Sequence, residues 1–122
     1  MMKEKKTLVL GASENPARYS NMAIQRLRRH GHPVVGVGLR AGSVDGVEIQ
    51  TGQPTVEDVD TITLYMNPKN QEPYYDYILG LKPKRIIFNP GTENMVLQHL
   101  AEEQGIETDM ACTLVMLSIG QY

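Results

Sequence analysis

A chain of 122 residues that is 41% apolar and 21% charged supports one domain with one buried core, and its balance excludes a disordered or fibrous architecture. A formal net charge of −2 and a pI near 5.9 supply no basic field for gathering the phosphates of DNA or RNA, so nucleic acid is excluded as a partner. The charged start, Met1 to Lys6, runs into an apolar segment too short for a signal peptide or a membrane span, which points to the cytoplasm and away from a membrane.

Thr7-Leu8-Val9-Leu10, ended by Gly11, predicts a first strand buried on both faces. After a loop to Tyr19, Ser20 is placed to cap a helix in which Ala23, Ile24 and Leu27 share a face and Arg26, Arg28 and Arg29 meet water or the helix C-terminus. Gly31 stops that helix, and His30 and His32 flank it, where a positive charge suits the dipole. Pro33 to Val37 reads as a second strand, Gly38 to Gly46 as a turn-prone stretch, and Val47-Glu48-Ile49 as a minor extended piece. Asp60 to Tyr65, rich in β-branched residues, predicts a third strand, followed by a loop from Met66 to Glu72. Pro73 fits the first turn of a helix carrying Tyr74, Tyr77, Ile78 and Leu81. Arg85 to Phe88 predicts a fourth buried strand, Asn94 to Gln104 a helix stopped by Gly105, Ile106 to Met110 a fifth strand, and Thr113 to Ile119 a last helical turn or two.

Strands alternating with helices predict a single α/β domain over residues 1–122, a Rossmann-like doubly wound and mainly parallel sheet of five strands in the order 3-2-1-4-5. Ligands of such sheets sit outside the carboxyl ends of the strands, where the order reverses beside the first strand. That selects the loops to read. Gly11-Ala12-Ser13-Glu14-Asn15-Pro16-Ala17-Arg18-Tyr19-Ser20-Asn21 leads into the first helix, where free N–H groups and the helix dipole favour an anion such as a pyrophosphate. It is not G-x-G-x-x-G, but Ala12 and Ser13 are small, Ser13 can donate a hydroxyl, and Arg18 can pair bidentately with a phosphate.

After the second strand, where an NAD enzyme presents an acid to the ribose, this chain has Gly38-Leu39-Arg40. Arg40 suits a ribose that carries a phosphate, which means coenzyme A or NADP. Tyr65, Met66, Asn67 and Pro68 are candidates for one wall of an adenine pocket, with packing of Tyr65 in the core as the ordinary alternative. Asn89-Pro90-Gly91-Thr92 turns into another helix start, a second anion-facing end that makes these four residues candidates for holding a long, polar cofactor, with a plain turn capped by Thr92 as the ordinary alternative. Cys112, just past the fifth strand, reads first as a small buried hydrophobe and second as a thiol that can meet a pantetheine thiol in a mixed disulfide.

Cys112 is the lone cysteine and fits a reducing compartment, and with His30, His32 and His99 it shows no ligand spacing, so no metal is expected. There is no G-x-x-x-x-G-K-[ST] loop and no G-x-S-x-G elbow, and Glu14 and Glu93 are the carboxylates left on the ligand edge. The residues describe a cofactor site without catalytic machinery.

Four pieces in order carry a family likeness: Val9-Leu10-Gly11-Ala12-Ser13-x-Asn15-Pro16, the glycine-rich exit from the second strand, Asn89-Pro90-Gly91-Thr92-Glu93-Asn94, and Cys112-Thr113-Leu114-Val115-Met116-Leu117. On these the chain resembles the small CoA-binding domain family, stand-alone relatives of the N-terminal nucleotide domain in the succinyl-CoA synthetase alpha subunit. The resemblance implies that Gly11, Ala12, Ser13 and Arg18 hold the pyrophosphate, that Arg40 replaces the lysine ending the family's Val-Asn-Pro-Lys stretch, and that Tyr65 to Pro68 edge the adenine. The family's Asn-Pro pair is here Gly38-Leu39. Ligase activity is not implied, because the synthetase's phosphohistidine domain has no counterpart in this sequence. The expectation is a binding module for coenzyme A or an acyl-CoA, serving a partner protein or an acyl-CoA enzyme, with a homodimer as the assembly. The rivals are an NADP-dependent reductase or its cofactor-binding fragment, and a protein-interaction domain with a vestigial pocket that works through Leu114 to Ile119.

Overall fold

Thr7–Leu10 (β1), Thr61–Leu64 (β5) and Arg85–Phe88 (β6) are buried at every position, as strands are when they have neighbours on both edges and helices on both faces. The computed structural model describes residues 3–122. Around these three strands lie α1 (Tyr19–Arg29), β2 (Val34–Val37), β3 (Gly42–Val44), β4 (Val47–Gln50), α2 (Pro68–Gln71), a 3₁₀ turn (Glu72–Tyr74), α3 (Tyr75–Gly80), α4 (Met95–Glu103), β7 (Glu107–Met110) and α5 (Thr113–Ser118).

The sheet has seven strands, in the order β3-β4-β2-β1-β5-β6-β7, where the sequence predicts five. All neighbours run parallel except β3 and β4. Val47–Gln50, expected as a minor piece, is a full parallel strand beside β2. Gly42–Val44, expected as turn, is its antiparallel edge partner. Asp45 and Gly46 join the two with φ of 48° and 80°, the left-handed pair that a two-residue hairpin turn requires. Because β4 takes the place beside β2, the strand expected third pairs on the far side of β1, with Thr7 opposite Thr61. Numbered among the parallel strands alone the order is 3-2-1-4-5-6, so the reversal falls between β1 and β5.

Strand alternation divides the core into two. Leu8, Leu10, Ile62, Leu64, Ile86 and Phe88 face Ile78 of α3 and Leu97 and Ala101 of α4. Val9 and Ala12 face Ile24 and Leu27 of α1 and Leu117 of α5. Full burial of each such side chain contributes about 1.5–3 kcal/mol, so β1 alone is a large share of a domain's stability.

Three helix starts differ from expectation. Arg18, in extended conformation, takes the position before α1 with no side-chain cap, and Ser20 is buried inside the first turn. A turn at Asn15, whose carbonyl accepts from Arg18 N–H at 3.0 Å, has already aimed the chain into the helix. The stretch expected as a loop from Met66 to Glu72 is mostly helical, because Asn67 caps it through Asn70 N–H at 2.9 Å and Pro68 stands first in α2. Pro73 falls in the 3₁₀ turn. Asn94, not Thr92, caps α4, accepting from Leu97 N–H at 3.1 Å. Gly31 ends α1 as expected, with φ of 81° and a pair of terminal bonds, Gly31 N–H to Arg28 O and His32 N–H to Leu27 O.

At the amino edge of the sheet His32 is 5% exposed. Its Nδ1 accepts from Lys5 N–H at 3.0 Å, and its ring lies 5.0 Å from that of Tyr122. Arg85 stacks on the same tyrosine ring at 4.4 Å and donates to the Tyr122 main-chain oxygen at 3.0 Å and to Thr61 Oγ1 at 3.1 Å. Burial, aided by the charges of His30, Lys5 and Arg85, holds the His32 pKa below its ordinary 6.5, with Asp60 opposing weakly. His32 is therefore neutral near pH 7, contrary to the expected cation, while His30 Nδ1 lies 2.8 Å from the Arg26 carbonyl at the helix end.

Two outcomes follow for urea unfolding. A lowered folded pKa means that the unfolded chain takes the proton first, so stability present above pH 6.5 is lost as pH falls below it, by at most about 1.4 kcal/mol per pH unit. His32→Asn, which keeps an acceptor and cannot titrate, flattens the loss measured from about pH 7 to about pH 5. Gly38→Ala brings a Cβ to 2.3 Å from the Ala12 carbonyl oxygen and lowers stability by about 1–3 kcal/mol at constant slope.

Candidate functional site

The carboxyl ends of β1, β2 and β5 meet backbone to backbone. Gly11 and Ala12 N–H both donate to the Val37 carbonyl, at 2.8 and 3.0 Å, which draws the loop after β1 over the end of β2. Gly11 has φ of 100°, and a Cβ there would stand 3.0 Å from the Tyr65 main chain. On the other side Gly38 passes so near Ala12 that no Cβ fits. Close approach is thus secured at both flanks by glycine.

Beyond Ala12 the loop is folded by its own polar groups. Ser13 Oγ accepts from Asn15 N–H at 3.1 Å, and Asn15 Oδ1 accepts from Ala17 N–H at 3.0 Å. Asn21, 3% exposed, donates its amide to the Ser13 carbonyl at 3.0 Å and accepts from Gln25 at 2.7 Å. Asn21 and Ser20, both site candidates, therefore build the loop from beneath. Four N–H groups, of Ser13, Glu14, Tyr19 and Ser20, point to no acceptor among the described residues. The Ser13 hydroxyl proton is also unengaged, and the exposed Arg18 guanidinium joins no ion pair among the described residues. Such a set at a helix start attracts an anion. The exposed ring of Tyr19 stands at its mouth.

Arg40 and Leu39 lie exposed in the loop between β2 and β3. Glu14, from the loop after β1, reaches across to this hairpin, its Oε2 accepting from Ser43 N–H at 3.0 Å.

Tyr65 and Met66 differ from the open adenine wall expected of their side chains. Strand parity continues past β5, sending Tyr65 into the core under α1 and α5 and Met66 into the core under α3 and α4. The Tyr65 hydroxyl is buried without a hydrogen-bond partner, close to Thr63 and Thr113, and burial pushes its pKa up to about 12. Their main chain, with exposed Asn67 and half-buried Pro68, remains at the edge.

The loop after β6 divides likewise. Asn89, 2% exposed, donates to Thr63 Oγ1 at 2.7 Å and to the Leu64 carbonyl at 2.8 Å, and accepts from Thr113 N–H at 2.9 Å. Thr92 donates to the Asn89 carbonyl at 2.8 Å, Gln71 donates to the carbonyls of Met66 and Thr92, each at 2.8 Å, and Asn94 donates to Gln71 Oε1 and Tyr75 Oη. This buried chain of bonds ties the loops after β5 and β6 to the start of α5. Asn89 and Thr92 hold the edge from inside, and Pro90 and Gly91 lie on its surface. Gln71, Asn94, Tyr75, Thr63 and Thr113 were not visible as site-building residues, since their partners are remote in sequence. Glu93 accepts from Gly91 N–H at 2.9 Å, and Cys112 is half-buried at the position before α5.

Two hollows, of about 480 and 240 Å³, sit at the amino edge, and neither is lined by a residue of the loops after β1, β2, β5 or β6. The larger has walls of mixed charge, with Glu4, Asp58 and Asp60 among four lysines, and the smaller carries Lys3 and Lys5 with no acid. Convergent unbonded donors, rather than enclosed volume, single out the carboxyl edge. Among the described residues no helix is long and apolar enough to cross a membrane, and no three His, Cys, Asp or Glu side chains gather as a metal site.

A family profile described as CoA binding domain matches residues 5–118, from the approach to β1 through the end of α5. The chain belongs to this family. A solved structure of an uncharacterized protein is 52% identical, covers 99% of this chain and 100% of its own, and superposes with a TM-score of 0.96. A conserved hypothetical protein from Pyrococcus furiosus is 26% identical over 91% of this chain and 97% of its own, with a TM-score of 0.78. A hypothetical protein from Pyrococcus horikoshii OT3, 23% identical over 96% of this chain and 84% of its own, shares the fold with a TM-score of 0.85. No curated protein matches. Membership in the CoA-binding family agrees with the anion-ready loop after β1.

Asn89→Ala removes three bonds from a buried network and leaves Thr113 N–H without its acceptor. Stability falls by about 1–3 kcal/mol, read as a shift of the urea midpoint, with earlier amide exchange at Thr113.

Proposed function

We propose that the chain is a Rossmann-like cytoplasmic binding module for coenzyme A or an acyl-CoA, without catalytic groups of its own. The observation that carries this reading is the convergence at the end of β1 of four unbonded N–H groups, the Ser13 hydroxyl and the unpaired Arg18, at the point where the sheet order reverses. These groups take the pyrophosphate. Gly11 and Gly38 keep Cβ atoms out of the approach, and the adenine lies along the main chain of Tyr65 and Met66 beside Asn67 and Pro68. Pro90 and Gly91 border the groove on the side of β6.

Arg40 meets the 3′-phosphate, for which an exposed guanidinium in the loop between β2 and β3 is well suited. The reading of no turnover is supported by the two carboxylates at this edge, since Glu14 and Glu93 each accept from a backbone N–H and no His or Lys pairs with either as an acid–base partner among the described residues. The module then presents its ligand to a partner protein or an acyl-CoA enzyme.

Calorimetric titration of nucleotide-free protein with coenzyme A, dephospho-coenzyme A, NADPH and NADH tests the reading. Coenzyme A binds most tightly. Arg40→Ala weakens it about 10-fold, towards the dephospho form, while Arg18→Ala weakens both forms by a similar factor. Tightest binding of NADPH replaces the reading with the reductase, and no binding at all turns the search to a protein partner.

A further inference from the structure

We infer that Glu14 is a positioning residue, a clasp that holds the Arg40 hairpin over the phosphate loop and so sets the preference for a ribose that carries a phosphate. The inference rests on the proposed contact between Arg40 and the 3′-phosphate. A carboxylate in an anion-binding loop is otherwise a liability, since it repels the ligand that the loop attracts. Here the charge is turned away from the loop's donors. Glu14 Oε2 accepts from Ser43 N–H at 3.0 Å, a group on the outer side of the edge strand β3 that β4 does not engage.

The local sequence is shaped around that bond. Gly42 lies directly beneath the Glu14 side chain, and a Cβ there would come within 2.3 Å of the Glu14 carboxyl carbon. Gly42 is not in the left-handed region, so close approach, and not backbone conformation, is what glycine serves at this position. At the other end of the same loop Gly38 is pressed against the Ala12 carbonyl and donates to Gln50 O at 2.9 Å. The Leu39-Arg40-Ala41 segment, exposed at all three positions, is therefore fastened to the phosphate loop at both ends, by Gly38 on Ala12 and by Ser43 on Glu14. Loss of either fastening frees Arg40 to sample positions away from the ligand, and ordering it again on binding weakens the contact.

The test compares wild type with Glu14→Ala, Glu14→Gln and Gly42→Ala in two measurements on the full chain. Glu14→Gln retains an acceptor for Ser43 N–H. Gly42→Ala displaces a flexible carboxylate without touching its chemistry or the backbone fold. Amide exchange without ligand reads the clasp itself: Ser43 exchanges faster in Glu14→Ala and Gly42→Ala and stays protected in Glu14→Gln. Calorimetry reads its consequence: the ratio of affinities for coenzyme A and dephospho-coenzyme A falls about 3- to 10-fold in Glu14→Ala and Gly42→Ala, and in Gly42→Ala, which keeps the carboxylate, the fall comes from coenzyme A alone.

Unchanged Ser43 exchange in Glu14→Ala, an intact ratio, or equal loss for both ligands overturns the clasp. A wild-type ratio of one sinks the Arg40 contact itself and is distinct from those results, in which wild type keeps its preference.

Discussion

The carbonyl oxygen of Val37 accepts two successive N–H groups, from Gly11 and Ala12, and the candidate site depends on that double bond. It lies where the apolar run of β1 ends, between β2 and β5. The bond turns the chain sideways at once, so that Ala12 is buried against the exit of β2 and Ser13 is the first residue to face the groove. The constraint is steric as much as electrostatic. Any side chain at Gly11 or Gly38 would separate the three loops by lodging between backbones. The burial of Leu8, Val9 and Leu10 anchors this turn with a free energy several times the strain of one tight loop.

Binding a long, charged and flexible cofactor favours a site that is ordered beforehand, because each loop that must be ordered on contact weakens affinity. Two different devices provide that order here. On the side of β1 the phosphate loop is held by short-range bonds among Ser13, Asn15, Ala17 and Asn21, whose partners are at most eight residues apart. On the side of β5 and β6 the work falls to the buried Asn89, Thr92, Gln71 and Asn94 network, which joins the segment between β6 and α4 to the end of α2. A buried polar chain is stabilising when its members are satisfied, and among the described residues the buried side-chain atoms without a partner, Tyr65 Oη and Arg85 Nη2, lie outside this network.

The contrast explains what was legible in the sequence. Short-range features read well: the apolar runs of β1 and β6, the glycine stops at Gly31 and Gly105, the Asn94 helix and the anion-ready loop after β1 all declare themselves within a few residues. The hairpin of β3 and β4 was equally local, with Asp45-Gly46 between valines, but its strands are short and carry polar Ser43 and Glu48, which lowered the strand signal. The position of β5 was not legible, because it depends on whether β4 fills the place beside β2. The fates of Tyr65 and Met66 turned on counting strand parity one residue past the last ladder bond. The sequence offers Asn89 and Thr92 as cofactor-facing turn residues, and nothing nearby in sequence reveals Thr63, Gln71 or Thr113 as the buried partners that hold them inside.

The two edges of the sheet also use charge in opposite ways. At the amino edge Arg85 and Lys5 both donate to the main-chain oxygen of Tyr122, and His32 is kept neutral by burial beside them, so the cations there are engaged by the chain itself, although Arg85 Nη2 is buried without a partner. At the carboxyl edge Arg18 and Arg40 join no ion pair among the described residues, and the carboxylates of that edge, Glu14 and Glu93, accept from backbone N–H groups. Cations left unmatched beside satisfied acids, above a row of unbonded N–H groups, form an arrangement that is completed only when an anion arrives. The hollows at the amino edge are lined by none of the loops after β1, β2, β5 or β6, whereas the unbonded N–H groups and the exposed Arg18 and Arg40 lie in loops of the carboxyl edge, where an anion is attracted.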